Sequence, residues 1–157
     1  MQYREAQKHD VPEMARLRAV TWGTEEYWTG RIARYMDGVD NPRQALAPRV
    51  LYVAADSESL TGLIAGHLTQ RHHCQGELEW IDVAQPYRGA GVASELLRHL
   101  AAWFVGQHAL RVCVDVEPEN SRARQFYARH GAGPLKRHWL VWENIGLVLR
   151  DETPRDG

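Results

Sequence analysis

The 157-residue sequence has two cysteines, two phenylalanines, almost no net charge and no long apolar run. A helix that spans a bilayer needs about 20 consecutive apolar residues. No such stretch occurs, so we expect no membrane partner. The 19 basic and 20 acidic residues leave a net charge of -1, which argues against nucleic acid as a partner. Cys74 and Cys113 lie far apart in sequence, so their spacing gives no argument for a disulfide, and two free thiols are expected in a reducing compartment.

The composition that remains is typical of one globular domain. Hydrophobic residues make up 44% and charged residues 25% of a chain long enough to bury a real core. We assign residues 1–150 to one domain and residues 151–157 to a polar, frayed C-terminal tail. The first five residues lack the apolar segment of a signal peptide, which together with the scarce cysteine predicts a cytoplasmic location.

Hydrophobic periodicity predicts the element order β-α-α-β-β-β-α-β-α-β, closed by one or two strands within residues 135–148. Asp10 is expected to cap the first helix, with Pro12 in its first turn. Ser57 and its neighbours in 56–59 predict a hairpin between the second and third strands. This order predicts an α/β (mixed α+β) fold, in which a mixed sheet carries helices on both faces.

The most informative segment is residues 86–94, PYRGAGVAS, between a predicted strand at 78–83 and an amphipathic helix that begins near Gly91. Glycines at a strand-to-helix turn let the backbone approach a bulky anion closely. The first N–H groups of the helix have no partner within the helix and can point at that anion. A pyrophosphate is the ligand that this turn predicts.

A second segment, NSRARQFYARHGA at residues 120–132, follows the predicted strand at 110–116. Asn120 suits the N-cap of a helix and Gly131 suits its C-terminal cap. Together the two segments resemble the GCN5-related N-acetyltransferase (GNAT) family. Arg88-x-x-Gly91-x-Ala93 matches the acyl-CoA pyrophosphate signature of that family. Asn120-x-x-Ala123-x-x-Phe126-Tyr127-x-x-x-Gly131 matches its second signature, and the strong resemblance covers residues 77–132.

The resemblance implies a central, mostly antiparallel mixed sheet of six to seven strands with helices on both faces. It also implies acetyl-CoA as cosubstrate, with direct transfer of the acetyl group to a primary amine in a ternary complex. The alternatives are a non-catalytic acyl-CoA-binding module, or an acetyltransferase that acts on a protein N-terminus or lysine.

The resemblance further assigns roles within the two segments. The fourth and fifth strands are expected to splay apart around the pantetheine arm, which pairs with the fourth strand. Tyr127 is expected near the sulfur as the general acid, and Asn120 either bonds the arm or simply caps its helix. The pyrophosphate turn comprises Arg88, Gly89, Ala90, Gly91, Val92, Ala93 and Ser94, and the pantetheine segment comprises Ile81, Asp82 and Val83.

The base that deprotonates the amine is expected among the carboxylates of the fourth strand. Glu77 and Glu79 are two residues apart and therefore share a face of a regular strand, whereas Asp82 is expected on the opposite face. Position in the strand favours Glu77 by resemblance, and Glu79 lies closer to the pantetheine segment. Both residues also suit a solvated sheet surface.

The first two predicted helices carry the candidates for acceptor binding, which are Trp22, Glu25, Glu26 and Trp28. Aromatic rings and carboxylates attract a cationic amine, so a small-molecule amine is the expected acceptor. The alternative is that the aromatic residues belong to the core and the glutamates to a solvated helix start.

Two further groups of residues bear on metals and partners. His67, His72, His73 and Cys74 have a spacing that matches no standard zinc site, so we expect no metal. Trp139 and Trp142 are expected in the closing strands, where a homodimer contact is an option by resemblance.

Overall fold

Seven strands form one sheet in the order β1-β2-β3-β4-β5-β7-β6. The computed structural model describes residues 1–39 and 45–150. The expected tail at 151–157 therefore lies outside the described residues. All neighbouring strands are antiparallel except β4 and β5, which confirms the mixed, mostly antiparallel sheet. The strands are β1 (Gln2–Glu5), β2 (Ala45–Ala55), β3 (Leu60–Thr69), β4 (Gly76–Val83), β5 (Val112–Asp115), β6 (Gly133–Lys136) and β7 (Trp139–Trp142).

Helices cover both faces of the sheet, as the element order predicts. On one face, α1 (Val11–Ala19) and α2 (Glu25–Met36) bury Met14, Ile32 and Tyr35 against the central strands. On the other face, α3 (Val92–Gly106) and α4 (Ser121–Arg129) pack with α5 (Leu147–Arg150) over a second core. Burial of these two apolar surfaces is the main stabilisation of the fold.

Helix α3 lies close to the sheet because glycine occupies the contact positions. A Cβ atom at Gly76 would stand 2.4 Å from Cε1 of Phe104, and one at Gly66 would stand 2.8 Å from a methyl of Leu100. Any side chain at these positions would displace the helix. The glycines of the central strands therefore fix the depth at which α3 sits, and with it the position of the helix N-terminus.

Strands β4 and β5 pair over a short distance and then separate. Gly76–Leu78 of β4 pair with Val112–Val114 of β5, whereas β4 continues to Val83. Residues 79–83 thus have no partner on the β5 side, and a gap opens between the two strands. The structure therefore contains the splayed pair that the resemblance to the family implies.

Glu79 is the extra residue of a β-bulge. Ala65 pairs with Trp80, but the next residue of β3, Gly66, pairs with Leu78. A bulge interrupts the alternation of side chains and re-aims them. Asp82 consequently lies on the α1 side of the sheet, where its carboxylate meets Arg18 of α1. The expectation that Asp82 points away from the face of the two glutamates is wrong.

Two local expectations also need correction. The closing strands end at Trp142, and α5 occupies the end of the segment that was expected to be strand. Asp10 makes no side-chain cap for α1; its carboxylate instead accepts hydrogen bonds from Arg4 and from the Gln7 N–H. The hairpin at residues 56–59 is confirmed, because Asp56 Oδ1 accepts from the N–H groups of Glu58 and Ser59 at 2.8 Å.

Candidate active site

A cleft of about 1140 Å³ occupies the gap between β4 and β5. Its walls come from the C-terminal half of β4, the first turn of α3, one side of α4 and the loop after α1. The cleft is lined by residues 18, 21, 22, 78–83, 87–89, 91–94, 114–117, 120, 122, 123, 125–127, 129 and 130.

The glycine turn lies at one end of the cleft. Gly89 and Gly91 have φ angles of +81° and +85°, and a Cβ at either position would meet no atom within 4 Å. Glycine is therefore favoured here by the backbone angle rather than by crowding. Gly91 is the N-cap of α3, so the N–H groups of the first turn and the positive end of the helix dipole face this part of the cleft.

Three other residues of this turn, Arg88, Ala90 and Ser94, each make a different hydrogen-bond contact. Arg88 lines the cleft, and its Nε donates to the carbonyl oxygen of Val83 at 3.2 Å. Ala90 lies outside the lining, with its N–H donating to the carbonyl of Tyr87 at 3.3 Å. Ser94 Oγ is 2.9 Å from Nε2 of His130.

His130 is a cleft residue that the sequence analysis missed. It ends α4, stacks edge-on against Phe126 at 4.9 Å, and its carbonyl accepts a hydrogen bond from Trp142 Nε1 at 2.9 Å. Its spacing in the sequence could have identified it, because His130 follows Phe126 by four residues, and this spacing places both side chains on the same side of α4.

Tyr127 lines the cleft from α4 and is 5% exposed. Its ring packs edge-on against Trp142, with ring centroids 5.6 Å apart. Burial raises the pKa of the Tyr127 hydroxyl, and the nearby charge of Asp82 raises it further. The hydroxyl is therefore neutral at physiological pH and can donate a proton. Asn120 caps α4 by accepting from the Ala123 N–H at 3.1 Å, and it also lines the cleft.

Asp82, one of the residues expected to contact pantetheine, forms a buried ion pair. Arg18 donates to Asp82 Oδ2 at 2.6 Å, and the two side chains are 9% and 14% exposed. The guanidinium also lies over the rings of Trp28 and Trp80, at 4.4 and 5.3 Å from their centroids. Burial raises the pKa of Asp82, and Arg18 opposes that effect. The pair joins α1 to the part of β4 that has lost its β5 partner.

The structure separates the two candidate bases. Glu79 lines the cleft, is 15% exposed, and lies 3.8 Å from the guanidinium of Arg31. Burial raises the pKa of Glu79 above that of an ordinary glutamate. Glu77 is 6% exposed, lies outside the lining, and accepts a hydrogen bond from Arg71 at 3.1 Å. Only Glu79 is therefore positioned to meet a ligand in the cleft.

The four residues expected to bind the acceptor are dispersed. Trp22 lines the cleft and is 48% exposed. Trp28 lies in the core, where its Nε1 donates to the carbonyl of Trp22 at 2.7 Å and so holds the loop in place. Glu25 lines a separate shallow hollow beside α1. Glu26 is exposed in the first turn of α2, outside the lining of the cleft.

The histidines and cysteines do not assemble as one group. His67 is buried beside Glu77 and Glu79, and donor atoms of the three residues lie within 4.8 Å of one another. Cys74 and Cys113 are free, buried thiols that pack with Val141, as expected.

Within the described residues, the helices are too short or too polar to cross a membrane. Trp139 and Trp142 both lie in β7, as predicted. Trp142 is 1% exposed and therefore belongs to the core rather than to a contact surface.

Three comparisons relate this chain to known proteins. The model of the family described as "Acetyltransferase (GNAT) family" matches residues 12–132. The uncharacterized N-acetyltransferase YobR of Bacillus subtilis is 32% identical over 83 residues, which make up 53% of this chain and 32% of that protein's length.

Solved structures share the fold over most of the chain. The aminoglycoside 6'-N-acetyltransferase AAC(6')-IG of Acinetobacter haemolyticus superposes with a TM-score of 0.73 at 15% identity, over 87% of this chain and 93% of that chain. The PaiA N-acetyltransferase of Thermoplasma acidophilum, in complex with coenzyme A, gives 0.67 at 14% identity, over 91% of this chain and 98% of that chain. At these identities the two structures bear on the fold alone.

Proposed function

This chain belongs to the GNAT family of acetyltransferases, and we propose that it transfers an acetyl group from acetyl-CoA to the primary amine of a small cationic molecule. The observation that carries the proposal is the gap beside residues 79–83 of β4, which faces Tyr127 and ends at the turn before α3. One cleft thus combines an anion-binding helix terminus, a strand edge without a partner, a neutral hydroxyl and a carboxylate.

The cleft residues fit the parts of acetyl-CoA. The N–H groups at the start of α3 would bind the pyrophosphate, and the edge of β4 from Ile81 to Val83 would pair with the amides of the pantetheine arm, as an added strand does. A backbone N–H of the same edge would polarise the thioester carbonyl.

Proton transfers are assigned to two ionisable residues of the cleft lining, Glu79 and Tyr127. Glu79 accepts a proton from the acceptor ammonium, directly or through one water, and the amine nitrogen then forms its bond to the thioester carbon. The carbon–sulfur bond breaks and the sulfur takes the proton of Tyr127. The Tyr127 oxygen then recovers a proton from the attacking nitrogen, directly or through one water, which leaves the neutral amide. A thiol has a pKa of about 8.5, so this protonation assists departure at neutral pH without being essential.

The cleft carries groups that suit a cationic acceptor. Its lining includes the carboxylates of Glu79, Asp115 and Glu117 and the side chain of Trp22, and carboxylates and aromatic rings attract an ammonium group. Two free, buried thiols suit a reducing compartment, which supports a cytoplasmic location.

The experiment that tests the proposal follows the release of free thiol from acetyl-CoA with a panel of amines, including polyamines and lysine peptides. We expect release with at least one small amine. Glu79→Gln should remove the acidic limb of the pH–rate profile, whereas Glu77→Gln, whose carboxylate lies outside the lining, should at most shift it. If neither variant alters the profile, a carboxylate on β4 is not the base. Binding of acetyl-CoA without turnover on any amine would favour a binding module.

A further inference from the structure

A buried polar cluster lies behind Glu79, between the sheet and α2. Its centre is His67 of β3, which is 0% exposed. The ring Nδ1 is 2.9 Å from the hydroxyl of Tyr35, which is itself fully buried. The same Nδ1 is 4.0 Å from Oε1 of Glu79, and Nε2 is 3.5 Å from Oε1 of Glu77. The imidazole ring therefore lies between the carboxylate of Glu79, which lines the cleft, and the carboxylate of Glu77, which lies outside the lining.

The neighbours of the ring indicate which of its two nitrogens carries the proton in the neutral imidazole. Nε2 is buried, and no hydrogen bond to it meets ordinary geometry, but the nearest acceptor is the carboxylate of Glu77. A proton on Nε2 would point at that negative charge, which leaves Nδ1 as the acceptor for the Tyr35 hydroxyl. In this tautomer the lone pair of Nδ1 accepts the Tyr35 proton and lies 4.0 Å from Oε1 of Glu79.

The charges around the cluster favour the binding of a proton over the binding of a metal ion. Arg71 Nε lies 3.1 Å from Glu77 and Arg31 lies 3.8 Å from Glu79, while Arg49 lies over the ring of Tyr35 at 4.9 Å. Each carboxylate thus already has a cationic partner, and a divalent ion would be repelled by three guanidinium groups. An imidazolium would need only one added proton and would sit between two carboxylates.

We propose that His67 is a positioning residue that acts through Glu79, by receiving the proton that this carboxylate takes from the acceptor amine. The inference rests on the proposed function. First, an N–H bond of the ammonium breaks and an O–H bond forms on Glu79. Glu79 then passes this proton to the oxygen of the neighbouring Tyr35 hydroxyl. At the same time the proton of that hydroxyl moves along its hydrogen bond to Nδ1, so an N–H forms there, the Tyr35 hydroxyl is restored and Glu79 is ionised again.

The proton leaves by the reverse path after the product departs, because His67 has no exposed surface of its own. The cluster therefore keeps Glu79 ionised while an amine is bound. Its titration involves Glu77 and Glu79 of β4, Tyr35 and Arg31 of α2, Arg49 of β2 and Arg71 of the short helical turn Arg71–His73.

A direct test uses NMR of protein labelled with 15N-histidine, and it does not require turnover. The ring nitrogens of His67 are followed against pH in the wild-type protein, in Glu79→Gln and in the control Glu26→Gln, whose carboxylate is exposed on α2. Loss of a carboxylate about 4 Å from Nδ1 is expected to displace the Glu79→Gln curve from the wild-type curve, because a nearby negative charge favours the imidazolium. The control curve should coincide with the wild-type curve. A Glu79→Gln curve that also coincides would overturn the proposal.

A kinetic test separates this inference from the proposed function. His67→Asn keeps an amide near the position of Nδ1 for Tyr35 but cannot take up a proton. We expect kcat to fall about tenfold and the acidic limb of the pH profile to change, with the KM for acetyl-CoA retained. The control His9→Gln, an exposed histidine, should match the wild-type protein.

The outcomes are distinguishable. If the wild-type protein releases thiol and His67→Asn has the same pH profile, the inference fails and the proposed function stands. If the wild-type protein releases no thiol with any amine, the proposed function fails, and the NMR titration still tests whether the charge of Glu79 acts on His67. One divalent metal ion per chain that is lost in His67→Asn would also overturn the inference.

Discussion

Replacing Gly91 with glutamate or glutamine tests the position of the pyrophosphate. Gly91 has a φ of +85° and open space where a Cβ would stand, so both side chains fit and both carry the same backbone strain of about 1–2 kcal/mol. The two variants differ only in charge. At the N-terminus of α3 the carboxylate should favour the helix by about 0.3–1 kcal/mol over the amide, so the glutamate variant should be the more stable of the two.

The affinity for coenzyme A should follow the opposite order to the stability, so the glutamate variant should bind coenzyme A more weakly than the glutamine variant. In surroundings with an effective dielectric constant of about 20, a carboxylate that lies about 5 Å from one phosphate charge is repelled by about 3 kcal/mol. Screening at physiological salt removes part of this energy. We expect Gly91→Glu to bind coenzyme A about 30- to 150-fold more weakly than Gly91→Gln, since each 1.4 kcal/mol is about tenfold.

Calorimetric titration of coenzyme A into both variants, at two salt concentrations, measures this difference, and thermal unfolding measures the difference in stability. The affinity gap should narrow as the salt concentration rises. Equal dissociation constants for the two variants at low salt would refute the reasoning, because no anion would then lie near Gly91.

Three other changes have definite expected results. Tyr127→Phe should lower kcat about tenfold at pH 7 with the KM for acetyl-CoA unchanged, and the loss should shrink above pH 8.5, where a thiolate leaves unaided; a uniform loss across pH would contradict an acid role. Because burial raises the pKa of Glu79, its ionised form destabilises the fold. This destabilisation is absent at a pH below the pKa that Glu79 has in the unfolded chain, and it is complete above the pKa that Glu79 has in the folded protein. Glu79→Gln should therefore raise the melting temperature at pH 7 but not at pH 4. Gly76→Ala should destabilise the protein by about 3 kcal/mol, because its Cβ would lie 2.4 Å from Phe104, and Phe104→Leu in the same chain should restore part of that loss.

The parts of the site that the sequence predicted are local in the chain. The turn before α3 depends on the conformational freedom of Gly89 and Gly91, and the cap of α4 depends on Asn120 and the N–H of Ala123 three residues later. Such features are determined within a few residues, so a motif is sufficient to predict them.

The parts that could not be predicted depend on distant residues or on irregular geometry. Arg18 meets Asp82 across 64 positions of the chain, and the buried position of His67 follows from its pairing opposite Glu77. The bulge at Glu79 shifts Asp82 to the other face, and alternation along a regular strand cannot anticipate one extra residue. Trp28 was assigned to the acceptor pocket because aromatic spacing alone does not distinguish a pocket wall from a core.

The most direct test of acetyl transfer is its stoichiometry. The protein is incubated with acetyl-CoA that carries a 13C-labelled acetyl group and with the amine panel. Free thiol is then measured by absorbance, and labelled products are measured by mass spectrometry. The account predicts one labelled N-acetyl amine for each thiol released. Release of thiol with labelled acetate and no acetylated amine, or no release of thiol at all, would contradict it.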